Sequence, residues 1–140
     1  MSNFLYVTLR KPRGPMAPVE ELERHVRQRC KGKILHNALE RFDVDLVEGD
    51  FGLQIDTHLN PSWKQGNREY LQHFVVAIVE WARCYFDEVG LLFLNLRGRD
   101  SPEVTESNSS IGELFSRRKA PSNELIVLSP EPLISSPAPR

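Results

Sequence analysis

The sequence predicts an α+β fold: a ferredoxin-like βαββαβ domain whose four-stranded antiparallel sheet carries two helices on one face, followed by a disordered tail. Three observations predict it. Apolar and polar residues alternate across residues 42–58, apolar residues recur at helical spacing in two other segments, and the composition changes near Arg97. The length of 140 residues suits one domain of ordinary size.

The first strand and the first helix come from residues 4–33. The segment Phe4–Leu9 is rich in β-forming residues and ends at the turn sequence KPRGP. Pro18 suits the first turn of the helix that follows, because proline there needs no hydrogen-bond partner for its nitrogen. The buried side of this helix is marked by apolar residues at helical spacing, namely Val19, Leu22, Val26 and Cys30.

The most regular pattern is the alternation across residues 42–58, which predicts a β-hairpin that turns near Gly49. Residues on one side of the hairpin are apolar: Phe42, Val44, Leu46, Phe51, Leu53 and Ile55. Those on the other side are polar: Asp43, Asp45, Gln54, Asp56 and His58. We therefore expect one side of the hairpin to pack on a core and the other side to be open.

A second helix and a last strand complete the predicted domain. The helix begins near Asn67, a residue type favoured at the N-cap, and is apolar nearly all round, so we expect more than one of its faces to be covered. Gly90 precedes the last strand, LLFLNL. The sheet face away from the helices is then open, and Tyr6 and Phe93 lie on it as candidate contacts for a partner or for a second copy of the chain.

The composition divides the chain into a compact α+β domain, residues 1–97, and a tail, residues 98–140. The tail is rich in serine and proline and has few of the aromatic and branched residues that bury a core. We therefore expect the tail to be disordered and to act through short motifs.

One string in this tail is strongly apolar, NELIVLSPEP, residues 123–132. It resembles a SUMO-interacting motif, in which three or four aliphatic residues are bordered by acids or a phosphorylatable serine. The resemblance implies that the string adds as a strand to the sheet edge of SUMO or of a SUMO conjugate. The matching residues are Leu125, Ile126, Val127, Leu128 and Ser129. The alternative interpretation is that the string pairs with an edge of the domain's own sheet.

The charge is balanced overall and uneven along the chain. The 18 basic and 19 acidic residues give a net charge of −1, but residues 10–33 carry eight basic against three acidic residues, and residues 40–56 carry six acidic against one basic residue. The basic cluster Arg10–Lys33 favours an alternative function, a nucleic-acid (RNA)-binding module that uses Arg24, Arg27 and Lys31 on one stripe of the first helix. A solvated helix face produces the same pattern.

The sequence lacks the common motifs of catalysis and cofactor binding. No GxSxG, P-loop or GxGxxG string occurs, and the histidines and cysteines lack the spacing of a zinc site. Asp43, Asp45 and Asp56 could meet across the hairpin, but polar alternation on an exposed strand produces the same pattern. We therefore predict a non-enzymatic protein with no catalytic residues, no cofactor and no metal.

The two cysteines, Cys30 and Cys84, lie among apolar neighbours, and the sequence shows no signal peptide. Its longest apolar run, residues 74–79, is far shorter than the roughly 20 residues that span a bilayer. We expect an intracellular protein, nuclear or cytoplasmic, that does not enter a membrane.

The folded part resembles the small early-region accessory proteins of adenoviruses. The resemblance lies in the short length, the order of elements and the string Glu69-Tyr70-Leu71-Gln72, which opens an apolar helix before the last strand. It implies an early viral protein that acts by binding host factors. The sequence thus predicts a regulatory or accessory protein, of viral or host type, that binds host proteins through its α+β domain and its tail motifs, with a homodimer as a further option.

Overall fold

A computed structural model of the chain describes residues 3–16, 18–34, 36–59, 61–64, 66–96 and 103–129. Its strands and helices follow one another as β1 (Asn3–Pro12), α1 (Val19–Cys30), α2 (His36–Glu40), β2 (Asp45–Gly49), β3 (Gly52–Asp56), α3 (Asn67–Ala82), β4 (Phe86–Asn95), β5 (Thr105–Ser109), α4 (Ile111–Phe115) and β6 (Glu124–Leu128). The strands and the two long helices expected before residue 97 are present, and β1 and β4 are longer than the sequence predicts.

The strands form one six-stranded mixed sheet in the order β2-β3-β1-β4-β6-β5. All neighbouring strands are antiparallel except β5 and β6, which run parallel. The prediction of a ferredoxin-like fold with a four-stranded antiparallel sheet is therefore wrong. The error has one source, because β5, α4 and β6 come from the segment that the composition assigns to a disordered tail, and the sheet continues across the boundary expected at residue 97.

Residues 103–129 fold because their apolar residues are few but well placed. Ser110 and Glu113 form a capping box, in which the Ser110 Oγ accepts from the Glu113 N–H at 3.1 Å and the Glu113 carboxylate accepts from the Ser110 N–H at 3.1 Å. The short helix α4 that begins there buries Ile111, Leu114 and Phe115. Averaging the composition over the whole tail dilutes these residues, so the prediction of disorder is wrong for this segment. The rest of the predicted tail, residues 98–102 and 130–140, lies outside the described residues.

The hydrophobic core lies between one face of the sheet and the helices α1, α3 and α4. Strand pairing places Leu5 of β1 beside Phe93 of β4, and Val7 beside Leu91. Leu91 pairs in turn with Ile126 of β6, so the apolar rows of the three strands form one continuous surface under the helices. Burial of this surface is the main source of stability for the fold.

Aromatic packing holds the C-terminal segment to the rest of the core. The Trp63 ring stacks on Phe115 with the ring centroids 5.2 Å apart, and it meets Phe93 edge-on at 6.1 Å. The Trp63 Nε1 donates a hydrogen bond to the Arg117 carbonyl oxygen at 2.9 Å, and the Arg68 guanidinium donates to the same oxygen at 2.6 Å. Apolar contact and hydrogen bonds thus fix the same loop.

A salt bridge fixes β6 at its first residue. Arg117 donates from both terminal nitrogens to the Glu124 carboxylate, at 2.9 and 3.2 Å, and the Ser107 hydroxyl of β5 donates to it at 2.9 Å. The hydrogen bond from Arg117 is the largest influence that holds the pKa of Glu124 below its usual range, against the opposing effect of burial. Next to it, the Asn123 side chain accepts from the Asn95 N–H at 2.8 Å, which anchors the start of β6 to the end of β4.

Replacement of Ile126 by alanine tests whether β6 belongs to the core. Ile126 is fully buried, so we expect Ile126→Ala to lower the free energy of unfolding by about 2–5 kcal/mol, through lost burial and the cavity left behind. Urea denaturation followed by circular dichroism measures the change. Glu106→Ala, at an exposed position of β5, is the control and should change the stability by less than about 0.5 kcal/mol. Equal stabilities of the two variants would contradict the placement of β6.

The Arg117–Glu124 pair predicts a pH dependence of stability. Because the pKa of Glu124 is lower in the folded chain than in the unfolded chain, its contribution is present above the ordinary glutamate pKa and is lost as the pH falls through the folded pKa. We expect wild type to be more stable than Glu124→Gln by about 1.5–3 kcal/mol at neutral pH, with a smaller difference in acid. Urea denaturation at a series of pH values measures this difference, and a difference that does not change with pH would refute the assignment.

Candidate protein-binding face

Strand β6 contains the four aliphatic residues of the SUMO-interacting-motif-like string, and neither of its edges is free. It pairs with β4 on one side and with β5 on the other. Leu125 and Ile126 are 0% exposed, Leu128 is buried, and Val127 is half-buried. Strand addition to a partner needs an unpaired edge and accessible side chains. The string offers neither while β6 is part of the sheet. It pairs with the domain's own strands, as the alternative interpretation of the string expects.

Ser129, the phosphorylatable residue of the same string, lines a cavity of about 530 Å³ beyond the end of β6. Its Oγ is buried and has no hydrogen-bond partner among the described residues. Charged side chains also line this cavity, but Lys11 pairs with Glu88 at 3.3 Å and Arg13 pairs with Asp87 at 3.1 Å. Arg83 also lines the cavity and donates a hydrogen bond to the Ser129 carbonyl oxygen, so the cations of this cavity are held by contacts within the chain.

The two aromatic residues expected on the open face lie on opposite faces of the sheet. Tyr6 is half-buried on the face away from the helices. Phe93 is 2% exposed and pairs with Leu5, whose side chain faces the helices, so the orientation predicted for Phe93 is wrong. Because side chains alternate along a strand, Leu92 and Leu94 take the open-face positions of β4.

A cavity of about 310 Å³, the open-face cavity, lies on this side of the sheet between β2 and β4. Most of its walls are apolar and come from Tyr6, Val47, Phe51, Leu92, Leu94, Leu96 and Val104. Val47 stands at the outer rim and is 37% exposed, the only large apolar side chain among the described residues that is so open to solvent. A concave, mainly apolar surface with a few polar groups is the usual form of a binding site.

Polar groups of the open-face cavity can form hydrogen bonds with a ligand. Gln54 is only 4% exposed, and its amide lies against Gly49, where a Cβ would overlap it. An amide both donates and accepts, so Gln54 can meet either kind of polar atom at the cavity wall. Burial raises the pKa of the Tyr6 hydroxyl, and the charge of Asp56 raises it further, so this hydroxyl stays protonated at neutral pH.

Acidic residues lie around β2, next to the open-face cavity. Asp43, Asp45 and His58 have ligand atoms that all lie within 4.8 Å of one another, so this group could offer three ligands to a metal ion. All three side chains are exposed, and the His58 Nε2 is hydrogen-bonded to Asp45 at 2.8 Å. The Asp56 carboxylate accepts from the His58 N–H at 3.1 Å. Hydrogen bonds with Asp45 and Asp56 thus hold His58 at the open end of the hairpin, with Asp43 close by.

The basic residues of the alternative nucleic-acid site do not form one free stripe. Arg24 and Lys31 are exposed, but Arg27 is half-buried and donates to the carbonyl oxygens of Leu39 at 2.7 Å and Phe42 at 3.2 Å. Arg27 thus ties α1 to the chain beyond it. Other members of the basic cluster form the ion pairs Arg10–Glu88, Lys11–Glu88, Arg13–Asp87 and Arg29–Glu80. Much of the positive charge in this segment is therefore neutralised within the fold.

Val47, Leu94 and Val104 were not predicted from the sequence to be parts of a site. A signal existed for Val47, since it follows Asp43 and Asp45 at even spacing and is an apolar residue on the polar side of a predicted hairpin. No such signal existed for Leu94, because every residue of LLFL is apolar and alternation cannot assign a face. Val104 precedes β5, in a segment expected to be disordered.

No protein-family model, curated protein or solved structure matches this chain. The resemblance to the adenovirus accessory proteins therefore stays a prediction. Among the described helices, none combines the length and the apolar character needed to cross a bilayer.

The His58–Asp45 pair predicts a pH-dependent contribution to the stability of the hairpin end. The hydrogen bond to Asp45 is the largest influence that raises the pKa of His58, so the contribution is present below the ordinary histidine pKa and is lost as the pH rises through the folded pKa. We expect NMR titration to give a His58 pKa above that of an ordinary histidine in wild type and a lower one in Asp45→Asn. Equal pKa values of His58 in the two proteins would contradict the pairing.

Proposed function

We propose that this chain is a non-enzymatic regulatory or accessory protein, of viral or host type, that binds a protein partner at the open-face cavity. The observation that carries the proposal is an apolar hollow, with the exposed Val47 at its rim, on the sheet face that the helices leave open. Protein interfaces concentrate apolar and aromatic groups at the centre and polar groups at the rim. The cavity has this arrangement, with Glu48 and Asp50 beside the apolar walls.

The chemistry of the cavity favours binding over catalysis. Among the described residues, those that line it include no serine, cysteine, histidine or lysine. These are the residue types that most often serve as nucleophiles or as bases near neutral pH. Tyr6 keeps its proton, and Gln54 does not titrate, so both groups are suited to orienting a bound side chain by hydrogen bonds.

The open-face cavity is a better candidate contact for a partner than the apolar string of β6. Docking of that string on a partner would require β6 to leave the sheet and would expose Leu125 and Ile126, which are now fully buried. A nucleic-acid partner at the open face is disfavoured as well, because Asp45, Glu48 and Asp50 would repel phosphate groups.

Photo-crosslinking with the full-length chain tests the proposal. A benzophenone amino acid replaces Val47 in one protein and Arg24, exposed on α1, in the control, and each is irradiated in eukaryotic lysate with and without nuclease. We expect discrete protein adducts from position 47 that withstand nuclease and are reduced by at least about tenfold when Leu94→Glu places a charge in the cavity. Mass spectrometry identifies the adducts. Nuclease-sensitive adducts from position 24 and none from position 47 would replace this proposal by the nucleic-acid alternative.

A further inference from the structure

We infer that the partner is an extended, basic segment of a protein, which adds as a strand to the free edge of β2 and places an apolar side chain in the open-face cavity. This inference rests on the proposed function and names the class of its partner. Three observations carry it: the unpaired backbone of β2, the excess of acidic side chains around that edge, and the position of the cavity directly beside the strand.

Among the described strands, β2 is the outermost on its side of the sheet and pairs with β3 alone. The direction in which the N–H and C=O groups of β2 point follows from the pairing of β3 with β1. The Thr57 N–H donates to the Leu5 carbonyl at 3.4 Å, so Thr57 directs its backbone groups toward β1. The N–H and C=O groups of successive residues point to alternate sides of an antiparallel strand. Gln54 is an odd number of residues from Thr57, so its N–H and C=O groups point the other way, toward Val47 of β2.

The residues on either side of Val47 then point away from the sheet. Leu46 and Glu48 direct their N–H and C=O groups outward, at an edge that no other described strand covers. Each of the two residues offers one donor and one acceptor at the spacing that an incoming strand requires. The edge is thus a template for backbone hydrogen bonds.

The charge around this edge specifies the kind of strand. Residues 40–56 carry a net charge of −5, and the acidic residues along β2 and just beyond its two ends include Asp43, Asp45, Glu48 and Asp50. His58 offsets part of this charge when it is protonated. A second copy of β2 would bring the same negative charge to the edge, and like charges across a strand pair are destabilising. A segment rich in lysine or arginine is complementary and gains from the same field.

The open-face cavity supplies a pocket for one side chain of the added strand. Val47, Glu48 and Gly49 line the cavity and also form the edge strand. Side chains of an added strand alternate between the two faces, so those on the open face would lie beside Val47 and could reach the apolar walls. Strand addition commonly combines backbone hydrogen bonds with one such pocket, which selects the sequence.

Binding of defined peptides to the full-length chain tests the inference. The probe is a short fluorescein-labelled peptide of alternating lysine and valine, and its counterpart has glutamate in place of lysine. We expect fluorescence anisotropy to show that the lysine peptide binds and that the glutamate peptide binds at least about tenfold more weakly. Methylation of alternate backbone nitrogens in the lysine peptide, in the register that faces β2, should weaken binding by a similar factor because it removes the donors.

A matched pair of variants separates the backbone from the charge. Glu48→Pro removes the outward N–H, and edge strands tolerate proline at such a position, whereas Glu48→Ala removes the same carboxylate and keeps the N–H. We expect the proline variant to bind the lysine peptide at least about tenfold more weakly than the alanine variant. Equal binding by the two variants, together with no effect of the N-methyl groups, would overturn strand addition. Equal affinity for the lysine and glutamate peptides would overturn the basic partner.

The result also separates this inference from the proposed function. If the lysine peptide does not bind but position 47 still forms adducts that Leu94→Glu removes, the cavity binds a protein of another class and only the present inference fails. If neither the peptide nor a lysate protein engages the cavity, both fail. If sedimentation shows that the chain is a dimer whose interface is lost in Glu48→Pro, the occupant of the edge is a second copy.

Discussion

The insertion of β6 between β4 and β5 is the interaction on which the rest of the sheet depends. Its antiparallel pairing with β4 covers a strand edge that would otherwise be open, and its parallel pairing with β5 gives β5 its one partner among the described strands. The apolar side chains that come with it, Ile126 above all, extend the core surface of β4 under the helices. The Arg117–Glu124 ion pair and the Trp63 contacts hold this insertion at one end.

The close approach of β1, β4 and β6 explains a glycine at the centre of the sheet. A Cβ on Gly90 would lie 2.7 Å from the Thr8 Oγ1 and 3.1 Å from the Ile126 carbonyl oxygen. A side chain of any size at this point would push the neighbouring strands apart or force a strained rotamer. Gly90 therefore fits the insertion of β6, even though glycine is unfavourable in a strand that has room for a side chain.

Local patterns in the sequence were sufficient for β1, α1, the β2–β3 hairpin, α3 and β4, because these segments carry strand or helix periodicity or a run of β-forming apolar residues. The alternation across the hairpin and the apolar stripe of α1 are examples. The same reasoning failed after residue 97, because the Ser/Pro-rich composition of the whole segment outweighed the apolar string of β6 and the single capped turn of α4, which holds Ile111 and Phe115. For the site, alternation placed Tyr6 correctly on the open face. It could not place Phe93, whose neighbours are all apolar, nor show that the linker residue Val104 would complete a cavity.

The two edges of the sheet differ in what they offer a partner, and the difference favours β2. Strand β5 presents Glu106 and Asn108 on the open face, both exposed and polar. The cavity that Asn108 lines is charged as well as apolar, because Lys11, Arg13, Arg83, Asp87 and Glu88 also line it. Strand β2 presents Val47 beside a hollow that is lined by Tyr6 of β1 and by Leu92 and Leu94 of β4. Short, charged edge strands protect a sheet against unspecific pairing, and an acidic edge repels its own copies as well. The same acids that keep β2 from pairing with itself would admit a basic strand, so protection from aggregation and selection of a partner can have one physical cause.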